Sequence, residues 1–335
     1  MQSTMVSAGG APAITKGDGS VNGMGMRRDH RVGELPGRSE SFRVLLALDD
    51  DSVARAAARV TAAAARNCGA VPTVLQVIEV NTYCTPDSYP ELTNAEELVL
   101  AVDAHHEYRD ELLTRVSALV GHPVDWQARL DVGSDIQHIV RRAQDMDAEL
   151  IVMGMEHHGR LRRALVGDTV RQVITSGVAP VLAVARTLES LPRHAVVGID
   201  FSVSSIRAAQ WALRLLDPHG LLELVYVCAS GGSRAAADGV PVAEANQVMA
   251  RRIEHDFEKL LAALDPPPTM QVVSMRRSGN AAEQLSMYAD KVKADLIAVG
   301  SHRYTFLERM RMGSVSAAVL YHANCSVLVA PPEPI

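Results

Sequence analysis

Short apolar runs alternate with longer amphipathic stretches along this chain, and each run has the length of a strand. The first, Phe42-Arg43-Val44-Leu45-Leu46-Ala47-Leu48, is nearly unbroken, as a strand buried on both faces should be. After it, Asp49, Asp50, Asp51 and Ser52 offer side-chain oxygens to cap an Ala-rich helix over 53–67, which ends near Gly69. A second buried strand is expected over 73–80, then a polar stretch with prolines over 81–93 and a long helix running to Val120. A third strand follows over 124–130, and Gly133 leads into a helix over 135–146. Strand four covers 150–153, a glycine loop runs from Gly154 to Gly167, and a last helix precedes a closing strand over 181–185.

The same order then starts again. Strands are expected over 195–199, 222–227, 270–275, 296–299 and 327–330, with helices between them. Ala294-Asp295-Leu296-Ile297-Ala298-Val299-Gly300 echoes Ala148-Glu149-Leu150-Ile151-Val152-Met153-Gly154, and Gly198-Ile199-Asp200 echoes Ala47-Leu48-Asp49. The spacing between copies is 146 to 151 residues, which makes the repeating unit a whole domain. Strand and helix in alternation require parallel sheets with right-handed crossovers. The fold class is therefore α/β: two tandem doubly wound domains, each with a five-stranded parallel sheet, over 42–187 and 193–332. The short linker around Pro192 predicts that the two pack against each other.

Composition narrows the function classes. Aromatic residues are only 4% of the chain, so the cores must be aliphatic and a base-stacking surface for single-stranded nucleic acid is not expected. A formal net charge of −6 argues the same way against bulk nucleic-acid binding. Cys68, Cys84, Cys228 and Cys325 show no paired short spacing, which favours a reduced, cytoplasmic setting. No apolar run reaches the length of a membrane span. Residues 1–41 hold 8 of the 23 glycines and few large apolar side chains, the composition of a disordered tail.

Candidate chemistry concentrates at strand ends. Gly300-Ser301-His302-Arg303 opens a loop that closes on Gly313-Ser314. Glycine lets backbone approach an anion, and Ser314 stands where the next helix points its free amides. The same residues also describe an ordinary strand-to-helix connection with a serine cap. Asp200 ends strand one of the second repeat, where open α/β sheets hold ligands; it either accepts hydrogen bonds from a ligand or caps the helix starting near Ser202. Other signals fail. His105-His106 and His157-His158 supply too few ligands for a metal. No GxxxxGK[ST] loop is present, and Ser204-Ser205 lacks the elbow of a serine hydrolase. No general base or nucleophile stands out, so an enzyme is not the expectation.

Val196 to Ser202 (VVGIDFS), Leu296 to His302 (LIAVGSH), Gly313 to Ser316 (GSVS), and the Gly133 and Gly279 turns resemble the universal stress protein family. The resemblance covers both repeats, which makes the chain similar to a tandem member. It implies an adenine nucleotide α-hydrolase-like fold, and ATP, with or without Mg, as the ligand. In ATP-binding members the loop reads glycine, two residues, glycine, nine residues, then glycine and Ser or Thr. An aspartate after strand one and a valine ending strand two hold the adenosine. The second repeat matches with Asp200, Val227, Gly300, Ser301, His302, Gly313, Ser314, Val315 and Ser316, with Arg303 in place of the second glycine. The first repeat matches with Asp49, Val77, Gly154 and Gly167, but has His157 at the second glycine and Asp168 at the Ser/Thr position. A carboxylate there repels phosphate, so the second repeat is the better site.

Such a protein is expected to act in a stress response through conformation or partner contacts, with nucleotide ordering the loop over 301–312. Its closing strands would pair the two domains with each other or with another chain. A nucleotide-free scaffold acting through protein contacts is the rival reading. An adenylyl-transfer enzyme is a weaker one, because it needs an acid/base or metal constellation that the sequence does not display.

Overall fold

The computed structural model describes residues 40–49, 53–78, 95–155, 168–228, 242–301 and 313–332. The first repeat runs β1 (Phe42–Ala47), α1 (Ala54–Cys68), β2 (Ala70–Ile78), α2 (Ala95–Val120), β3 (Gln127–Val132), α3 (Asp135–Asp145), β4 (Leu150–Met155), α4 (Asp168–Ser176) and β5 (Val181–Ala185). The second runs β6 (His194–Ile199), α5 (Val203–Leu215), β7 (Leu221–Cys228), α6 (Val242–Leu264), β8 (Gln271–Ser278), α7 (Ala281–Val292), β9 (Leu296–Gly300), α8 (Ser314–His322) and β10 (Ser326–Ala330). The expected tail lies almost wholly outside the described residues. No described helix is long and apolar enough to cross a membrane.

All ten strands join one sheet in the order β3-β2-β1-β4-β5-β10-β9-β6-β7-β8. Within each repeat the pairings are parallel. At the centre, β5 and β10 pair antiparallel, with Leu328 opposite Leu182, Val327 opposite Ala183 and Val329 opposite Val181. Leu182 and Leu328 occupy the same place in the two repeats, so the join has the self-complementary form of a two-fold interface. Ser326 Oγ adds to it by accepting a hydrogen bond from the Ala185 amide at 3.0 Å.

Helices cover both faces, which is why the strands read as unbroken apolar runs. Alternate strand residues point to opposite sides. Leu46, Leu182 and Leu328 face α1, α2, α5 and α6. Leu45, Val181 and Val327 face α3, α4, α7 and α8. Each of these two cores contains residues of both repeats. On the first face α1 is rich in alanine, and bulk comes from α5. Its Trp211 meets the Phe42 ring edge-on at 5.3 Å. Arg214 lies 4.1 Å above the Phe42 ring centre and donates to the Glu40 carbonyl. Burial lowers the Arg214 pKa.

Gly69 closes α1 in the left-handed conformation, as expected from its place after the Ala-rich run. The start of α1 falls one residue after the expected Val53. Its N-cap position is Val53, which has no side-chain oxygen to offer. Of the four residues read as caps, Asp49 lies beyond β1 and the other three are outside the described residues. Val53 is buried against the end of β4.

Candidate functional site

In each repeat the first strand lies between the second and the fourth, so the chain turns in opposite directions from neighbouring strands. The crevice beyond their carboxyl ends is the topological switch point. In the second repeat Asp200 directly follows β6, Gly300 ends β9, and Val227 stands near the end of β7. Asp49, Gly154 and Val77 take the corresponding places in the first. The sequence-selected residues that are described therefore gather at the carboxyl ends of the strands of their own repeat, and because β5 and β10 run antiparallel the two groups lie at opposite ends of the sheet. His302, Arg303, Gly167 and His157 lie outside the described residues.

The first glycine of each loop is explained by packing. A Cβ on Gly300 would stand 2.6 Å from the Ser204 carbonyl carbon, its Oγ and the Ser205 amide nitrogen. On Gly154 it would overlap Val53 Cγ2 and approach Val53 Cβ to 3.0 Å. Both glycines let the first turn of the helix after strand one press onto the end of strand four. The two repeats differ in what does the pressing: Ser204 and Ser205 in the second, Val53 in the first.

Those serines organise Asp200. Ser202 is the N-cap of α5, its Oγ accepting from the Ser205 amide at 3.3 Å. Asp200 Oδ1 accepts from the Ser202 amide at 3.0 Å and from its hydroxyl at 2.6 Å. Ser205 Oγ donates to the Ser202 carbonyl at 3.0 Å. The capping task thus belongs to Ser202, while the exposed Asp200 carboxylate braces the cap. Between them Phe201 has φ 61, a left-handed conformation costing a non-glycine residue about 1–2 kcal/mol. Its ring stacks on Tyr226 at 5.5 Å and meets Phe257 edge-on at 5.1 Å. At about 0.5–1.5 kcal/mol for each aromatic pair, these contacts offset the cost. Sequence reasoning passed over Phe201, Ser202 and Tyr226 as site residues. The available signal was a large aromatic residue wedged between an acidic strand end and a helix cap.

At the same end, α8 begins without a side-chain cap. Gly313 is its N-cap residue, and its first turn carries no acidic side chain. Ser316, fully buried, donates through Oγ to the Gly313 carbonyl at 3.0 Å. Ser314 is exposed and Val315 half-buried. Early amides of a helix have no intrahelical acceptor and carry the positive end of its dipole. In the first repeat the matching helix opens with Asp168. Ser301, buried at the root of the loop, donates its amide to the Ala330 carbonyl at 2.8 Å, which ties the loop to β10.

The neighbours of the two valines carry opposite charge. Val77 pairs with Asp131, whereas Val227 pairs with Arg277. Asp131 is buried and bound by Arg142 through two hydrogen bonds of 2.7 and 2.6 Å, with His138 at 3.1 Å. The Arg142 bonds hold its carboxyl below the usual range. Arg277 instead meets neutral partners, Gln284 Oε1 at 3.1 Å and the face of Tyr288 at 4.6 Å. Tyr288 also donates to Glu223, and burial with that carboxylate pushes its phenol pKa up. Among the described residues no three His, Cys, Asp or Glu side chains are grouped to hold a metal.

Sequence comparison matches residues 41–185 and again 192–331 to the universal stress protein family. A universal stress protein of Mycobacterium tuberculosis is 29% identical over 197 residues, which are 55% of this chain and 62% of that protein. The match thus spans less than two thirds of that relative. One of Methanocaldococcus jannaschii is 25% identical over 151 residues, covering 44% of this chain and 86% of its own. A crystal structure of a universal stress protein from Archaeoglobus fulgidus superposes with TM-score 0.59 at 18% identity, covering 87% of this chain and 98% of that one. With two family matches in succession on two copies of the fold, the chain belongs to the universal stress protein family as a tandem member.

Proposed function

We propose that this chain is a cytoplasmic stress-response protein that binds an adenine nucleotide, ATP with or without Mg, in its second domain, and acts through conformation or partner contacts. The observation that carries the reading is the contrast between the two switch points. In the second domain an exposed Asp200, an α8 without a side-chain cap and the Arg277 guanidinium share one end of the sheet. In the first, Asp131 replaces the guanidinium and Asp168 opens the helix. Anionic phosphates favour positive charge and free amides, so the second domain suits them and the first does not.

Asp200 would take a ribose hydroxyl or the adenine amino group, Val227 backbone would border the base, and the amides of Ser314, Val315 and Ser316 would receive phosphate oxygens. Gly300, Ser301, His302, Arg303 and Gly313 complete the proposed site. Asp49, Val77, Gly154 and Gly167 mark its weaker counterpart. Binding alone suffices for this role, and no catalytic residue is assigned. The working unit is the intramolecular domain pair, alone or as a homo-oligomer.

The test starts from full-length protein purified without added nucleotide, then denatured, with released small molecules identified by mass spectrometry. ATP or AMP near one equivalent per chain is expected, together with a rise in Tm in millimolar ATP-Mg. Gly313→Glu, which puts a carboxylate at the phosphate position, should abolish both. An empty wild-type protein whose Tm ignores ATP-Mg overturns the reading. Asp168 at the first domain's helix start favours a second reading, a nucleotide-free scaffold, and that result would leave it standing.

A further inference from the structure

Four described non-glycine residues have a left-handed φ: Asp147, Phe201, Asp265 and Lys293. Three of them sit at or just beyond the ends of α3, α6 and α7, where such a conformation is an ordinary way to stop a helix. Phe201 is different, because it lies between a strand and a helix start, beside the switch point. Its neighbours on both sides, Asp200 and Ser202, are joined through the Asp200 carboxylate. Any change of φ at Phe201 swings that carboxylate relative to the start of α5.

What holds φ is the ring. Ile199 pairs with Tyr226 across β6 and β7, so a residue two positions beyond Ile199 reaches Tyr226 only by turning back over it. Phe201 does so, stacking at an interplanar angle of 25° on Tyr226 and packing edge-on against Phe257 of α6. The stack stands on the face of the sheet covered by α1, α2, α5 and α6, where both Phe201 and Tyr226 pack against the core. The first repeat has no such anchor in its sequence: Asp50 replaces Phe201 and Gln76 replaces Tyr226.

We infer that Phe201 is the positioning residue for Asp200: its ring, clamped by Tyr226 and Phe257, fixes the carboxylate that meets the nucleoside. This ring anchor is a second reason, besides phosphate electrostatics, why the second domain binds nucleotide and the first does not. The inference rests on the nucleotide reading of the same site. It adds a residue that touches no ligand and acts only through its neighbour.

The test is calorimetric titration of the full chain with ATP-Mg, using wild type, Phe201→Gly, Phe201→Tyr, Asp200→Ala and the Phe201→Gly/Asp200→Ala double variant. Glycine is at ease with a positive φ, so Phe201→Gly removes the ring without adding backbone strain. Affinity should fall about tenfold, within the usual range for coupled neighbours. Phe201→Tyr should bind as wild type. In the double variant, loss of the ring should cost nothing beyond Asp200→Ala. A ring that merely stabilises the fold would lower Tm without that coupling. Equal binding by wild type and Phe201→Gly, or additive losses in the double variant, overturns the inference. Should Phe201→Gly fail to fold by circular dichroism, Phe201→Leu takes its place with the same expected coupling. A wild-type chain that binds no ATP overturns the nucleotide reading and this inference with it.

Discussion

Asp131 and Arg277 stand at matching places in the two repeats, each beside the valine near the end of the second strand. Inverting the charge there required a new set of partners. The carboxylate has Arg142 and His138, whereas the guanidinium has an amide oxygen and an aromatic face. Because Asp131 is buried and its pKa is depressed from 3.8, its contribution has a definite sign with pH. Folding is favoured by the ionised form, so the stabilisation is complete above the unfolded value and disappears as pH falls through the folded one. Asp131→Asn should cost about 1–3 kcal/mol near neutrality, as expected for lost charged hydrogen bonds. The deficit should shrink as pH drops below about 4, where wild type loses the same ionisation. Urea titrations of both proteins between pH 3 and 7 check this. A deficit that stays constant with pH would assign the effect to packing.

At the scale of elements, the sites depend on how the helix after strand one lands on the end of strand four. The two landings are not equally tight in kind. Gly300 faces backbone atoms of Ser204 and Ser205, which cannot move without shifting α5. Gly154 faces mostly the side chain of Val53, which can rotate. Gly300→Ala should therefore cost about 2–3 kcal/mol, near the upper end for overpacking, and Gly154→Ala about 1 kcal/mol. Chemical denaturation of the two variants decides it, and equal losses would show that α1 is held as rigidly as α5. Much of this was legible in the sequence. Unbroken apolar runs located the strands, the repeat gave the domain order, and paired glycines marked the strand-four ends. What periodicity could not supply was the partner of each glycine, because Val53 and Ser204 are about a hundred residues away in sequence and only folding brings them close. An acidic-serine run is a local capping signal, whereas the burial of Val53 against β4 is tertiary and has no local mark. Likewise nothing local announced that Phe201 would take a left-handed turn, since its reward lies in rings on β7 and α6.

For the whole molecule, the central strand pair decides what the protein is. Every residue of β5 and β10 is buried, and two apolar cores run through both repeats. Cutting the chain in the linker would leave each repeat with one edge of an apolar strand unpaired. Exposed edges of that kind recruit another strand, and the symmetry of the existing join says which. Leu328 faces Leu182, its own equivalent, so a copy of β10 can pair with β10 in the register now used for β5. A fragment of residues 193–332 should therefore be a homodimer, with twice its sequence mass by light scattering after size exclusion. Leu328→Asp puts a charge on the two-fold axis of that dimer, where each copy would face its own like charge, and should leave the fragment monomeric or unfolded. In the full chain the same substitution faces Leu182 instead. It should lower stability by several kcal/mol, as expected for an unpaired charge placed in a buried strand, without adding a second subunit. A wild-type fragment that remains a stable monomer would show that each repeat closes its own core, and that β5 and β10 meet only because the linker brings them together.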